Sequence, residues 1–228
     1  FRDELQQVQQ RMDEYLLCER QAVNSLADHL KKSRGKMLRP LALLAAGRAC
    51  GKISDEHIKV AAVLEMIHSA TLLHDDVIDE GMVRRQQPTV NRLWGNEAAV
   101  LLGDYILSHA LRVCAGMPAG VTQRIADSVV ATCQGEICQD MAKQNWDMSE
   151  QQYLGIITDK SGRMFENSCF LGAMLAGADE RTCERLGRFG VHLGIIYQVT
   201  DDVLDVVATR TDSDKTVGRD IARFNITL

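Results

Sequence analysis

Two short acidic motifs constrain this chain more than any other feature. Leu72-Leu73-His74-Asp75-Asp76-Val77-Ile78-Asp79 closes an apolar run that begins at Val60, and the same device returns as Asp201-Asp202-Val203-Leu204-Asp205. Residues four apart on an α-helix share a face, so Asp75 aims with Asp79 and Asp201 with Asp205, while Asp76 and Asp202 sit to the side. Like carboxylates this close repel one another, and apolar surroundings make their ionised forms costlier still. The arrangement calls for a compensating cation. Hard divalent ions with oxygen ligands suit it best, and Mg²⁺ commonly joins a few carboxylates to substrate phosphates. One D-D-x-x-D on a helix is more often a solvated face, but two copies embedded in apolar sequence reverse that balance and point to a bivalent metal site.

The remaining sequence reads as one all-α domain over residues 1–228. With 46% hydrophobic residues there is enough apolar material for one good core, and three prolines with 5% aromatics argue against β architecture. Helix-period apolar patterns run through most of the chain. A net charge of −5 gives no electrostatic footprint for nucleic acid. The seven cysteines form neither C-x-x-C pairs nor clusters with histidine, which fits small buried hydrophobes in a reducing, cytoplasmic setting. No apolar stretch of transmembrane length lacks a charge, and no signal peptide is visible. Phe1 at the first position is consistent with processing or an incomplete start.

Taken in order, the pattern predicts a first helix over about Asp3 to Lys32, bent near Asn24-Ser25, then a basic turn from Lys31 to Pro40. Pro40 suits the first turn of a second helix ending at Cys50, and Ser54-Asp55-Glu56 opens a third that ends in the first aspartate cluster. Asn96 is expected to cap a helix from Glu97 to Cys114, and Val121 to Lys143 to form another. Ser149-Glu150-Gln151-Gln152 reads as a capping box opening a helix that runs to Ala176 and carries Lys160. The last helix holds Gln198 and the second cluster, and Thr209 to Lys215 is a polar loop.

Several basic groups lie beside the acidic motifs. Lys36 and Arg39 flank a helix start where backbone donors favour an anion, though alone they read as a solvated basic turn. His68 lies two turns before Asp75 on nearly the same face; it is either a core histidine or a substrate contact. Arg84 and Arg85 are suited to bidentate phosphate recognition, or else to plain salt bridges with Asp79 and Glu80.

Gly35-Lys36-x-x-Arg39-Pro40, His68, the first aspartate motif, Arg84-Arg85, Gly135-Glu136-x-x-Gln139, Lys160, Tyr197-Gln198-Val199-Thr200 running into the second motif, and Lys215-x-x-Gly218-x-Asp220 together resemble the trans-isoprenyl diphosphate synthases, over roughly residues 30–228. The resemblance implies an antiparallel helix bundle around a central cavity, usually a homodimer, with the two aspartate motifs facing each other across its mouth. It implies that isopentenyl diphosphate is condensed with an allylic diphosphate, farnesyl or geranylgeranyl. Asp75, Asp79, Asp201 and Asp205 would hold Mg²⁺, three ions with both substrates bound, and Asp75, Asp79, Asp201 and Lys160 would carry catalysis. Arg84, Lys160, Ser161, Gln198 and Lys215 would hold the allylic diphosphate; Lys36, Arg39, His68 and Arg85 would hold that of isopentenyl diphosphate. Product release would bring peripheral membrane contact without a transmembrane segment.

Lys160-Ser161 stands where relatives usually show Lys-Thr, keeping the hydroxyl, whereas Phe224-Asn225 stands where they usually show Gly-Lys, so a cation is missing at Asn225. Relatives also continue through several more helices. Short-chain members generally place an aromatic ring four or five residues before the first motif. Here those positions are Thr71 and Ala70, so the tail is expected to pass them toward Ile67, Met66 and Val63 and to grow beyond geranylgeranyl, to a length used in quinone side chains. Two rival readings are a class I terpene cyclase, which typically carries an N-S-E-type second motif, and a noncatalytic subunit of a heteromeric synthase, in which eroded aspartates are expected.

Overall fold

The structure, a computed structural model, describes residues 1–32, 35–143, 145 and 147–207. Its elements are α1 (Arg2–Leu16), α2 (Gln21–Lys32), α3 (Leu38–Cys50), α4 (Asp55–Ile78), a hairpin of β1 (Val83–Arg84) and β2 (Gln87–Pro88), α5 (Val90–Trp94), α6 (Asn96–Cys114), α7 (Ala119–Met141), α8 (Glu150–Ile157), a π turn (Thr158–Gly162), α9 (Arg163–Leu175) and α10 (Glu180–Val207). The all-α expectation holds.

Helix α4 is the axis of the bundle because its sequence is apolar on every side: Val60, Ala61, Ala62, Val63, Leu64 and Met66 are each at most 1% exposed. It packs against α1, α3, α6 and α9, and α9 in turn lies between α3 and α10. A helix apolar all round belongs inside a core, which leaves its polar end, the aspartate motif, at the edge of that core. At its start Ser54 is the N-cap, reciprocated by His57. The Ser54 amide donates to His57 Nδ1 at 3.1 Å, so Nε2 carries the proton given to the Gly172 carbonyl, also at 3.1 Å, and this buried ring ties α4 to α9.

Local chemistry shifts several expected boundaries. The break in the first helical segment lies at 17–20, where Leu17 turns to extended backbone (ψ 131°), and not at Asn24-Ser25. Asn24 supports the break: its Nδ2 donates to the Cys18 carbonyl at 2.6 Å and its Oδ1 accepts from the Cys18 amide. Gly95, at φ 90°, takes the cap position expected of Asn96, and the short α5 precedes it. Helix α7 begins at Ala119, directly after Pro118, and stops at Met141. The Ser149–Gln152 capping box forms as expected, the Gln152 amide donating to Ser149 Oγ at 3.3 Å and the Ser149 amide to Gln152 Oε1 at 2.9 Å. The helix it opens is interrupted, however, by the π turn.

Candidate active site

The first motif sits on the last turn of α4, where the helix leaves the core. Burial pushes the Asp75 carboxyl up to about 7, Glu136 and Asp79 add to the rise, and Lys160 and Arg84 oppose it. Asp76 points elsewhere. It is 4% exposed, and Arg84 grips it: Nε donates to Oδ1 at 3.0 Å and Oδ2 at 3.1 Å, with Nη2 2.9 Å from Oδ1. The salt-bridge reading of Arg84 is therefore realised, with Asp76 as partner in place of Asp79 or Glu80. Asn91 Nδ2 donates to both the Asp76 and Gly81 carbonyls and so pins the chain as it leaves the motif.

Lys160 reaches the same region from the π turn. Its ammonium donates to Glu136 Oε2 at 3.0 Å and to Gln139 Oε1 at 2.7 Å. Burial pushes this ammonium down, but Glu136 and Asp75 outweigh that and hold it above its ordinary value. Helix α7 can come this close only because Gly135 has no side chain: a Cβ there would lie 2.5 Å from the Lys160 amide nitrogen and 2.9 Å from its Cα. π turns recur at functional sites, and here the widened turn re-aims a cation.

Asp201 and Asp205 are half-buried on α10, while Asp202, 6% exposed, faces inward like its counterpart Asp76. Tyr153 donates its hydroxyl to Asp202 Oδ2 at 2.5 Å, and Gln198 Nε2 donates to Oδ1 at 2.8 Å. Ser161 completes the chain by donating to Gln198 Oε1 at 2.7 Å. Each motif thus commits its second aspartate to holding the fold, Asp76 through Arg84 and Asp202 through Tyr153 and Gln198.

The other basic groups gather near the hairpin. Gly35, Glu65, His68, Asp76, Arg84 and Arg85 line one cavity, while Lys36 is exposed at its approach. Arg39 is 7% exposed and stacks its guanidinium 5.0 Å above the Phe165 ring, and its buried Nε has no hydrogen-bond partner among the described residues. Arg85 and Gln86 form the hairpin's two-residue turn with φ of 50° and 60°, the type I′ geometry usually filled by Asn-Gly. Met37 and Glu80 are the other non-glycine residues with positive φ among those described, so backbone strain gathers just after the first motif and around the basic pocket. A side chain at Gly35 would collide with the Arg85 guanidinium.

Glu65 is a functional candidate that the motifs do not include, although a lone acid inside an apolar helix is a legible signal. It is 6% exposed, its Oε2 has no hydrogen-bond partner among the described residues, and burial raises its pKa against the pull of Arg39 and Arg85. Tyr153 carries no such signal, because its partner Asp202 is 49 residues away on another helix. Lys215 and Asn225 lie outside the described residues.

The donor set suits a hard divalent ion. Asp75, Asp79, Asp201 and Asp205 offer oxygen, and the raised Asp75 carboxyl is the group a cation would return to its ionised form.

Residues 20–228 match the polyprenyl synthetase family. The chain is 38% identical over 229 residues to heptaprenyl diphosphate synthase component 2 of Geobacillus stearothermophilus, covering 99% of this chain and 71% of that protein. It is 35% identical to octaprenyl diphosphate synthase of Escherichia coli (strain K12), covering 94% and 67%. A polyprenyl synthase from Caulobacter crescentus CB15, solved with calcium and isoprenyl diphosphate, superposes with a TM-score of 0.94 at 32% identity over all of this chain and 70% of its own. This chain thus spans about two thirds of the length of the proteins it resembles. On the matching family profile, the identities and the shared architecture, the chain belongs to the polyprenyl synthetase family.

Proposed function

We propose that the chain condenses isopentenyl diphosphate with an allylic diphosphate, farnesyl or geranylgeranyl, to give a longer all-trans polyprenyl diphosphate. The observation that carries this reading is the gathering of both charge signs in one place: the half-buried Asp75 carboxyl, raised to about 7 beside Glu136 and Asp79, and the Lys160 ammonium held by Glu136 and Gln139. Asp75, Asp79, Asp201 and Asp205 would hold Mg²⁺, which would supply positive charge to offset that building on the departing diphosphate. Lys160 and Arg84 face the same diphosphate, with the second N–H of Gln198 and with Lys215. Their fixed positive charges stabilise it as the C–O bond breaks. The allylic cation left behind is attacked by the double bond of isopentenyl diphosphate, whose own diphosphate is held by Lys36, Arg39, His68 and Arg85. A proton is then lost to the departed diphosphate. Apolar residues of α4 wall the reacting carbons from water.

No helix among the described residues is long and apolar enough to cross a membrane, and we place the activity in the cytoplasm, with peripheral membrane contact on product release. We also assign a homodimer. Leu101 and Leu111 on α6 are 67% and 70% exposed, and Ile137 and Met141 on α7 are 62% and 79% exposed, which leaves apolar surface for a second copy. Sedimentation of the purified chain tests this, since a relative is component 2 of a heptaprenyl synthase and a strictly monomeric chain would favour an unlike partner.

The test of function is incubation with isopentenyl and farnesyl diphosphates and Mg²⁺, with sizing of the products. Elongated polyprenyl diphosphate is expected. A hydrocarbon formed from farnesyl diphosphate without consumption of isopentenyl diphosphate would indicate a cyclase, and no turnover would indicate a noncatalytic subunit.

A further inference from the structure

We propose that Tyr153 is a positioning residue for the metal site: by fastening Asp202 it holds the second aspartate motif at a set distance from the π turn that carries Lys160. The assignment rests on the reading of the site given above.

Three observations converge on it. The first is burial: Tyr153 is 4% exposed and Asp202 6%, so their 2.5 Å hydrogen bond is shielded from water, where a charge-assisted bond is strongest. The second is continuity. Asp202 also accepts from Gln198, and Gln198 accepts from Ser161, so one unbroken chain of bonds runs from α8 through α10 to the π turn.

The third is helix register. In an uninterrupted α-helix Tyr153 and Lys160, seven residues apart, would share a face, and Ser161 would point about 80° away. The extra residue of the π turn rotates the helix beyond it back by roughly 100°. Tyr153 and Ser161 then address α10 together, and Lys160 is turned toward Glu136 and Gln139 on α7. The π turn and Tyr153 therefore act as one device, which aims the cation at one helix and locks the acidic motif of another. Asp201 and Asp205 flank the fastened residue, so the lock limits how far their carboxylates can swing.

Tyr153→Phe keeps the ring and removes only the donated proton. In the full chain it is expected to raise the Mg²⁺ concentration for half-maximal turnover about tenfold, with kcat at saturating Mg²⁺ within about threefold of the parent. Mn²⁺ titrated in the presence of inorganic diphosphate and followed by water-proton relaxation should weaken by a similar factor, and this readout needs no turnover. Asp202→Asn, which weakens the same bonds from the other side, should reproduce both shifts. Unchanged Mg²⁺ dependence and unchanged Mn²⁺ affinity in both variants overturn the proposal, as does a loss of kcat equal at every Mg²⁺ concentration, which marks a structural role only. If the parent binds Mn²⁺ with diphosphate yet condenses no substrate, the functional reading falls while the titration still decides the role of Tyr153.

Discussion

Arg84 closes a forked ion pair on Asp76, a carboxylate only 4% exposed at the end of α4. Removing one partner of a buried pair strands the other charge, at a cost of about 3–5 kcal/mol. Arg84→Ala should therefore lower the melting temperature markedly. The double variant Arg84→Ala with Asp76→Asn should recover part of the loss, because no buried charge is left unpaired. Thermal denaturation by circular dichroism checks this, and equal losses in the single and double variants would show that the pair contributes little.

The Asp75 carboxyl gives a prediction about pH. Its folded-state value of about 7 lies above the ordinary aspartate value near 4, so the protonated form is the one folding favours. The stability this group contributes to the metal-free protein is fully present below about pH 4 and is lost as pH rises through about 7. Asp75→Asn should accordingly stabilise the metal-free protein at pH 7.5, by roughly 2–4 kcal/mol, with no gain at pH 4. The same substitution, like Asp75→Ala or Asp201→Ala, should abolish turnover while the helical spectrum persists. Melting curves in a chelator at the two pH values, beside a turnover assay, measure both effects.

On the proposed reading the two diphosphates are held by different cations, Lys160 on the π turn and Arg85 on the hairpin turn. Losing one charge-assisted contact costs roughly 1.5–3 kcal/mol, about ten- to hundredfold. Arg85→Ala should raise KM for isopentenyl diphosphate by that factor and leave the allylic KM nearly unchanged. Lys160→Ala should act mainly on the allylic substrate and on kcat, since it also strips Glu136 and Asp75 of their counter-ion. Initial rates with each substrate varied in turn separate the effects, and parallel changes in both variants would refute the division.

Much of the fold and site is legible in the sequence because the signals are local. The place of the first aspartate motif at the end of α4 and the depth of that helix follow from an apolar run too dense for a surface helix, and Ser149–Gln152 from a capping box. The features that escape depend on contacts between distant segments or on backbone states that composition does not announce. The type I′ turn at Arg85–Gln86 lacks the Asn-Gly signature, the π turn at Thr158–Gly162 resembles ordinary helix, and the break at 17–20 uses a cap from Asn24 further along the chain. Arg84 is legible as an ion-pair partner but its acid is not, because Asp76 is the aspartate that turns inward.

Product length turns on the residues before Asp75, and the structure separates two that sequence spacing treats alike. Four residues back along the helix is a rotation of about 40° from Asp75, whereas five back is about 140°. Thr71 is accordingly half-buried, while Ala70 is 0% exposed and packed within the core. Met66, also expected along the tail's path, lines the cavity shared by Glu65, His68 and Arg85. A tail anchored at the aspartates should therefore run past Thr71. A Phe at this position would place a ring roughly 6 Å below Asp75, at 1.5 Å per residue, and close the path after a few units. Thr71→Phe is expected to shift the product from a polyprenyl diphosphate longer than geranylgeranyl to a shorter one with little loss of stability. Ala70→Phe should cost about 1–3 kcal/mol from overpacking, whatever it does to the product. Chromatographic sizing of products, beside melting curves for both variants, checks the pair; if Thr71→Phe leaves the product length unchanged, this wall of α4 is not what limits the growing chain.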